Sequence, residues 1–381
     1  MNKLLRSKPY IPESDQPEIV KNLEEVVKNG MFIQGKYVSM LEKSFAEYCG
    51  TKYAVATNSG ATALEVSLRA TGIEGKKVIV PTQTFVASVS AIVRSNNIPV
   101  IVDVDEITQS LSADIILENL TDDVFAVMWI HLAGFITPDY YKIKKICDER
   151  HILLIEDASH AVGASIDGIK AGNLGFAGCF SLFATKIITS GEGGIITTND
   201  FEFAERCKII RNHGCIRNVA PFEGIDYGVD CTYASSNYRM PELSAVVGVS
   251  QVKRIDEFVR LRNVLANEYN RLITNPKITK PNIPNNIVMT WWQYIITLPK
   301  TVGLEGRTNL CISLLRDHGI PTANAYWPPC HEQSAFRKYI YDFTKFTISD
   351  NLLKRHIALP MYVEMDLEQV KYVSNVLNEI I

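Results

Sequence analysis

The sequence has few of the features that mark membrane, secreted or nucleic-acid-binding proteins. Its 381 residues carry 39 basic and 42 acidic side chains, and a net charge of −3 excludes a strong basic field for a nucleic-acid backbone or an anionic membrane. No apolar run approaches the ~18 residues of a membrane helix, and residues 1–20 lack the apolar core and cleavage site of a signal peptide. We therefore expect a cytoplasmic protein without nucleic-acid or membrane partners.

The eight cysteines indicate neither a disulfide framework nor a metal site. They are scattered along the chain without a C-x-x-C pair, in a chain far longer than the small domains that depend on disulfides. We expect reduced thiols and no bound metal. The sequence also has no internal repeat and no low-complexity tract, which excludes a solenoid. A globular α/β enzyme of about two domains remains.

Short apolar runs alternate with longer mixed segments between about residues 50 and 200, as in βαβ units with a mostly parallel sheet. The runs are nearly continuous in apolar residues, as strands buried on both faces are, and they cover residues 78–80, 100–102, 124–130 and 152–155. Polar residues follow at 81–84, 103–105, 131 and 156–157. Because open α/β sheets bind ligands at the carboxyl ends of their strands, we expect the functional site there.

The pattern becomes helical after Pro241. Helical spacing of apolar residues covers 242–247 and 252–273, a strand-like run follows at 292–298, and two further helical segments occupy 306–318 and 367–381. We therefore predict a large domain at residues 1–250 and a smaller α+β domain at residues 251–381.

Residues 53–64 lead from a short strand through a turn of small residues into a helix. Gly60 lets a ligand approach the backbone closely, the first N–H groups of the helix are free, and Ser59 and Thr62 add hydroxyl groups. Such a turn can hold a phosphate. An ordinary helix cap at Ser59 is the alternative interpretation.

Two other segments carry titratable groups. Residues 152–160 end a buried strand with Glu156 and Asp157, so a carboxylate either lies at the edge of the site or caps a helix. Lys186 stands among apolar and hydroxyl residues, ahead of a glycine-rich turn at 191–194. Desolvation lowers the pKa of a lysine, which makes Lys186 a candidate Schiff-base nucleophile; a lysine that reaches solvent is the alternative.

A phosphate-binding turn, an acid and a nucleophilic amine are together what pyridoxal phosphate requires. The turn would hold the phosphate, the acid would face the ring nitrogen, and the lysine would react with the aldehyde. A dinucleotide-dependent oxidoreductase is a weaker interpretation, because residues 58–62 do not supply the glycines of a G-x-G-x-x-G turn.

Five separated motifs, from residues 35–38 to 358–362, resemble those of the DegT/DnrJ/EryC1/StrS family of sugar aminotransferases in their residues and in their order along the chain. One of them is Ser-x-x-x-x-Lys at 181–186, followed by Gly-Glu-Gly-Gly at 191–194. The resemblance implies the type I fold of aspartate aminotransferase, a three-layer α/β domain with a mostly parallel mixed sheet and a smaller C-terminal α+β domain. It also implies pyridoxal 5′-phosphate as cofactor, with pyridoxamine 5′-phosphate as the form that carries the amino group.

The resemblance assigns roles to single residues. Lys186 matches the lysine that forms the Schiff base, Asp157 the acid that pairs with the pyridine nitrogen, and Phe85 the aromatic ring that stacks on the cofactor. His160 falls near the ring oxygen and completes the catalytic set. Phosphate contacts are placed at Ser59, Gly60, Ala61, Ser181 and, reaching across from the neighbouring subunit of a homodimer, Asn237.

The implied reaction is a ping-pong transfer of an amino group from glutamate to a keto sugar linked to a nucleotide. A dehydratase branch of the family has histidine in place of Lys186, and a non-catalytic regulator that keeps the fold is a further alternative. The sequence departs from the family at Ile187, Trp292 and Ala325, where Asn, His and His are common. The sugar, its nucleotide, the aminated carbon and the stereochemistry therefore stay open.

Overall fold

The computed structural model describes residues 3–219 and 226–381. The strands are β1 (Tyr53–Thr57), β2 (Lys77–Pro81), β3 (Ile98–Val102), β4 (Val124–Ile130), β5 (Leu153–Asp157), β6 (Ser165–Ile166), β7 (Ile169–Lys170), β8 (Ala177–Ser181), β9 (Gly194–Thr198), β10 (Cys215–Val219), β11 (Asp226–Cys231), β12 (Ile287–Val288), β13 (Tyr294–Thr297) and β14 (His356–Leu359). The α-helices are α1 (Gln16–Asn29), α2 (Lys36–Cys49), α3 (Gly60–Ala70), α4 (Val86–Arg94), α5 (Ala113–Glu118), α6 (Tyr140–Glu149), α7 (Phe201–Arg211), α8 (Glu242–Val252), α9 (Ile255–Leu272), α10 (Leu304–His318), α11 (Thr347–Leu353) and α12 (Leu367–Ile380).

The largest sheet of the described chain has seven strands in the order β1-β9-β8-β5-β4-β2-β3. The pairs from β8 to β3 are parallel, whereas β9 runs antiparallel to both β1 and β8. Successive strand residues enter two separate apolar clusters: Val78 and Val80 lie in one, and Ile79 lies in the other. Helices cover both faces, and the predicted three-layer α/β class with a mostly parallel mixed sheet is confirmed.

The strand β5 is longer than the sequence predicted. Glu156 and Asp157 are its last two residues rather than the first residues of the loop that follows. The reason is that β5 pairs along this length with both neighbours, Asp157 lying opposite Ile130 of β4 and Cys179 of β8. Since side chains alternate along a strand, the two acids point to opposite faces of the sheet.

The helix α9 connects the sheet to a second apolar core. Its first turns place Ile255 and Phe258 in one of the two apolar clusters of the sheet, and its later turns place Leu265 and Tyr269 in a cluster with the antiparallel pair of β13 and β14 and with α12. The domain boundary proposed near residue 250 falls in the last turn of α8. Within the described ranges, every helix is too short or too polar to cross a bilayer.

Candidate active site

Lys186 lies in the loop between β8 and β9, at the carboxyl end of the parallel strands. The residue is half-buried, its backbone N–H donates to the carbonyl of Phe183 at 2.9 Å, and its Nζ is 4.1 Å from the centre of the Trp292 ring. Burial lowers the pKa of Lys186 to about 8, and the charge of Asp157 offsets only part of this shift. In a substantial fraction of the molecules the amine of Lys186 is therefore neutral near physiological pH and available as a nucleophile or base.

Asp157 presents a buried carboxylate at the end of β5. Its Oδ2 accepts a hydrogen bond from the hydroxyl of Ser88 at 2.7 Å, and its Oδ1 accepts from the backbone N–H of Ser159 at 3.2 Å. Ser88 is itself 2.8 Å from the hydroxyl of Thr84. Among the described residues no cation lies within ion-pair distance of Asp157, so its charge is left for a cationic group of a ligand.

His160 is buried and held on both ring nitrogens. Its Nδ1 accepts from the backbone N–H of Ala133 at 3.3 Å, which leaves the proton on Nε2, and Nε2 lies 2.6 Å from the hydroxyl of Tyr326. The ring stacks on Trp292 with centroids 3.9 Å apart. Burial, and then the nearby Lys186, hold the pKa of His160 well below its usual range, so the ring is neutral.

The turn between β1 and α3 is both a helix cap and a possible anion site. The backbone N–H of Thr62 donates to the Ser59 hydroxyl at 3.2 Å, and the N–H of Ser59 donates to the Thr62 hydroxyl at 3.1 Å. Gly60 and Ala61 are the first two residues of α3, and their backbone N–H groups have no acceptor within the helix. A Cβ on Gly60 would lie 2.7 Å from the Cβ of Ser181, so only glycine lets the turn reach the end of β8.

Phe85 and Asn237 are, with Ala61, the three exposed members of the predicted site. Phe85 immediately precedes α4 as its N-cap residue with 55% of its surface accessible, and its ring centroid is 5.9 Å from that of Tyr326. The carbonyl of Asn237 accepts from the side-chain amide of Asn58 at 3.2 Å, which places Asn237 beside the turn that begins α3. Its side-chain oxygen accepts from the N–H of Arg239 at 3.2 Å.

Sequence reasoning assigned no role to Ser88, Trp292 and Tyr326, although all three contact the predicted residues. Ser88 had a usable signal, because it lies in the first turn of a helix that begins just past a strand end. Trp292 and Tyr326 come from the C-terminal part of the chain, and Tyr326 has a left-handed backbone with φ of 63°. No local pattern indicates that such residues meet His160.

Comparisons with known proteins agree with this architecture. Residues 13–378 match the model of the DegT/DnrJ/EryC1/StrS aminotransferase family. A GDP-perosamine synthase of Caulobacter vibrioides is 35% identical over 297 residues, which is 77% of each chain. A dTDP-3-amino-3,6-dideoxy-alpha-D-galactopyranose transaminase of Aneurinibacillus thermoaerophilus is 31% identical over 365 residues, or 95% of each chain.

A solved structure also matches nearly the whole chain. The putative sugar aminotransferase of Streptococcus pneumoniae in its PMP form superposes with a TM-score of 0.91 at 24% identity, covering 98% of both chains, and so has the same fold. The predicted family, fold and aminotransferase activity are thus confirmed. The chain is an aminotransferase, and it belongs to the DegT/DnrJ/EryC1/StrS aminotransferase family.

Proposed function

We propose that this aminotransferase uses pyridoxal 5′-phosphate to move an amino group from glutamate to a keto sugar carried on a nucleotide. Two relatives that span most of the chain are named for amino sugars on GDP and dTDP, which supports a nucleotide-linked substrate. The observation that carries the proposal is that Lys186, an amine of lowered pKa, lies at the same edge of the sheet as the buried carboxylate of Asp157, which has no ion-pair partner among the described residues. The two groups belong to neighbouring strand ends, one ending β5 and one following β8.

The residues present fit this cofactor at each of its polar ends. The carboxylate of Asp157 suits a protonated ring nitrogen, and the amine of Lys186 suits the aldehyde. The N–H groups of Gly60 and Ala61 and the hydroxyl of Ser181 suit the phosphate. When bound, pyridoxal phosphate supplies an electron-accepting ring that stabilises the negative charge left on the α-carbon of an amino acid after deprotonation.

Asp157 would keep the ring nitrogen of a bound cofactor protonated, because the hydrogen-bond donors described around its carboxylate are neutral and leave its negative charge in place. The hydroxyl of Ser88 and the N–H of Ser159 orient the carboxylate and bring no charge of their own. In a buried site the interaction of such a carboxylate with a cation is much stronger than in water. Ser88 therefore acts as a positioning residue for Asp157.

Lys186 carries the proton. With its pKa lowered to about 8, its Nζ can take the proton from the α-carbon of the donor and return one to the carbon that receives the amino group. His160 does not compete for this proton, because burial keeps its imidazole neutral and both nitrogens are engaged with Ala133 and Tyr326. The contact of Lys186 with Trp292 restricts where the amine can move.

Loading of the cofactor should accelerate between about pH 7 and about pH 9. Only the neutral amine attacks an aldehyde, and with the pKa of Lys186 lowered to about 8 its neutral fraction rises through that interval. An ordinary lysine, with a pKa of about 10.4, would remain protonated there. The measurement is the rate at which visible absorption appears when cofactor-free protein is mixed with pyridoxal phosphate. A rate that rises only around pH 10 would show that Lys186 is not perturbed.

Glutamate should convert the cofactor of the purified protein to the pyridoxamine form, with loss of its visible absorption band and release of 2-oxoglutarate. A non-catalytic regulator would bind the cofactor without this conversion. Subsequent addition of keto-sugar nucleotides, read by mass spectrometry for a product with an amine in place of the ketone, identifies the acceptor. A protein that leaves the band unchanged with glutamate and with other amino donors would contradict the proposed function.

We further propose a homodimer in which the side chain of Asn237 reaches the phosphate held by the other subunit. The exposed position of Asn237 beside the turn that begins α3 supports this, since a two-fold axis near the turn would bring two such sites together. Velocity sedimentation should give a single species of twice the chain mass, and a monomer with full activity would contradict the shared site.

A further inference from the structure

A cavity of about 320 Å³ adjoins the lysine on the side of the C-terminal domain. Thr185, the neighbour of Lys186 in the chain, lines it together with Trp292 and Tyr326, the two residues that contact the His160 ring. The indole N–H of Trp292 donates to the carbonyl of Thr185 at 2.8 Å, which joins the cavity wall to the lysine loop. The cavity is therefore continuous with the residues that surround the reacting amine.

Arg6 reaches this cavity from the N-terminal segment. Leu4 is buried in the C-terminal core, and the backbone N–H of Met361 donates to the carbonyl of Arg6 at 3.3 Å, so the segment is held at Leu4 and at Arg6 itself. The Arg6 side chain is exposed, and no acidic group of the described ranges lies within ion-pair distance of it. Lys8, two residues away, is by contrast paired with Glu364.

The other polar groups of the cavity complement a cationic anchor. The side-chain amides of Gln293 and Asn324 line it and can donate hydrogen bonds. A guanidinium presents paired N–H groups in a plane, which match the oxygens of a carboxylate or a phosphate. An unpaired arginine beside amide donors and aromatic walls is a receptor for an anionic group.

We propose that Arg6 binds an anionic group of a substrate in this cavity, away from the reacting carbon. This inference rests on the proposed function, whose two substrates each carry such a group: the side-chain carboxylate of glutamate and the phosphates of the nucleotide. Both offer the same chemistry to a guanidinium, namely oxygens that share a negative charge. Arg6 thereby favours acidic or phosphorylated substrates over neutral ones.

The test measures binding without turnover. Cofactor-loaded protein is titrated by calorimetry with glutarate, a dicarboxylate without an amino group, and separately with inorganic pyrophosphate. Replacing Arg6 with alanine should weaken binding of the recognised probe about 10-fold or more, as expected for loss of a charge-assisted contact, and R6K should recover part of it. The matched control is K8A, which removes a nearby cation that is already paired.

The outcomes distinguish the carboxylate of the amino donor from the phosphates of the nucleotide as the group that Arg6 binds. Weaker binding of glutarate alone assigns Arg6 to the amino donor, weaker binding of pyrophosphate alone assigns it to the nucleotide, and loss of both indicates a shared subsite. Equal affinities in wild type, R6A and K8A, or no binding of either probe to wild type, would overturn the proposal. Failure of the proposed function is visible separately, because it would abolish the glutamate-dependent spectral change in the wild type.

Discussion

Replacing Lys186 with alanine should abolish transamination, with kcat reduced by about 10⁴-fold or more, because one side chain supplies both the nucleophile and the proton carrier. The visible band of the wild type should also disappear, since no amine remains to join the cofactor's aldehyde. The thermal unfolding midpoint should not decrease. Burial already disfavours the charged amine of Lys186, so removing it also removes that desolvation penalty.

The measurements are an absorption spectrum, stopped-flow mixing with glutamate, and the thermal unfolding midpoint. The exposed Lys52 provides the control, because K52A also removes one amine but does so at the opposite end of β1 from the turn that begins α3. Retention of the band in K186A, or turnover within tenfold of wild type, would remove Lys186 from the chemistry. A wild-type protein saturated with cofactor yet without the band would do the same.

Replacing Asp157 with asparagine should reduce kcat by on the order of 100-fold or more, the scale associated with losing one preorganised electrostatic contact in a buried site. Asparagine keeps the shape of the side chain and can still hydrogen-bond Ser88. What it loses is the negative charge that keeps the ring nitrogen protonated. Affinity for the cofactor should fall as well, measured by titrating cofactor-free protein and following absorption.

A substitution at Ser88 distinguishes the effect of the charge of Asp157 from the effect of its orientation. The variant S88A keeps the carboxylate of Asp157 but removes the hydrogen bond of 2.7 Å to its Oδ2, and should therefore lower kcat by about tenfold at most. The expected order is wild type, S88A, then D157N. If D157N were as active as S88A, the charge of Asp157 would have no part in the reaction, and the pairing with the ring nitrogen would be wrong.

Much of the fold could be predicted from local patterns. Apolar runs of three to seven residues separated by helical segments predicted β2, β3, β4 and β5, because strands of a doubly covered sheet must be apolar on both faces. The turn at Ser59 and Gly60 could also be located, since small residues between a strand-like run and a helical run indicate a tight turn. The order of the motifs was enough to identify the family, which the comparisons confirmed.

The family resemblance assigned Asp157 to the ring nitrogen, but local sequence patterns alone could not choose between the two acids of β5. Alternation sends Glu156 and Asp157 to opposite faces, but which face carries the site depends on the helix packed there. Glu156 accepts from the N–H groups of Gly172, Leu174 and Gly175 and from His131, so it anchors a loop. Among the described residues, the carboxylate of Asp157 accepts hydrogen bonds only from Ser88 and from the N–H of Ser159 in its own turn, and its charge remains available.

By itself the sequence determined the sheet, the turn that begins α3, and the presence of one lysine and one acid near the strand ends. These follow from short-range rules of periodicity and backbone conformation. Only the tertiary structure decided that Trp292 and Tyr326 enclose His160 and that Arg6 shares their cavity. The physical reason is that these residues lie far apart in the chain, and the contacts among them form when the C-terminal core, with Leu4 inside it, packs against the carboxyl end of the sheet.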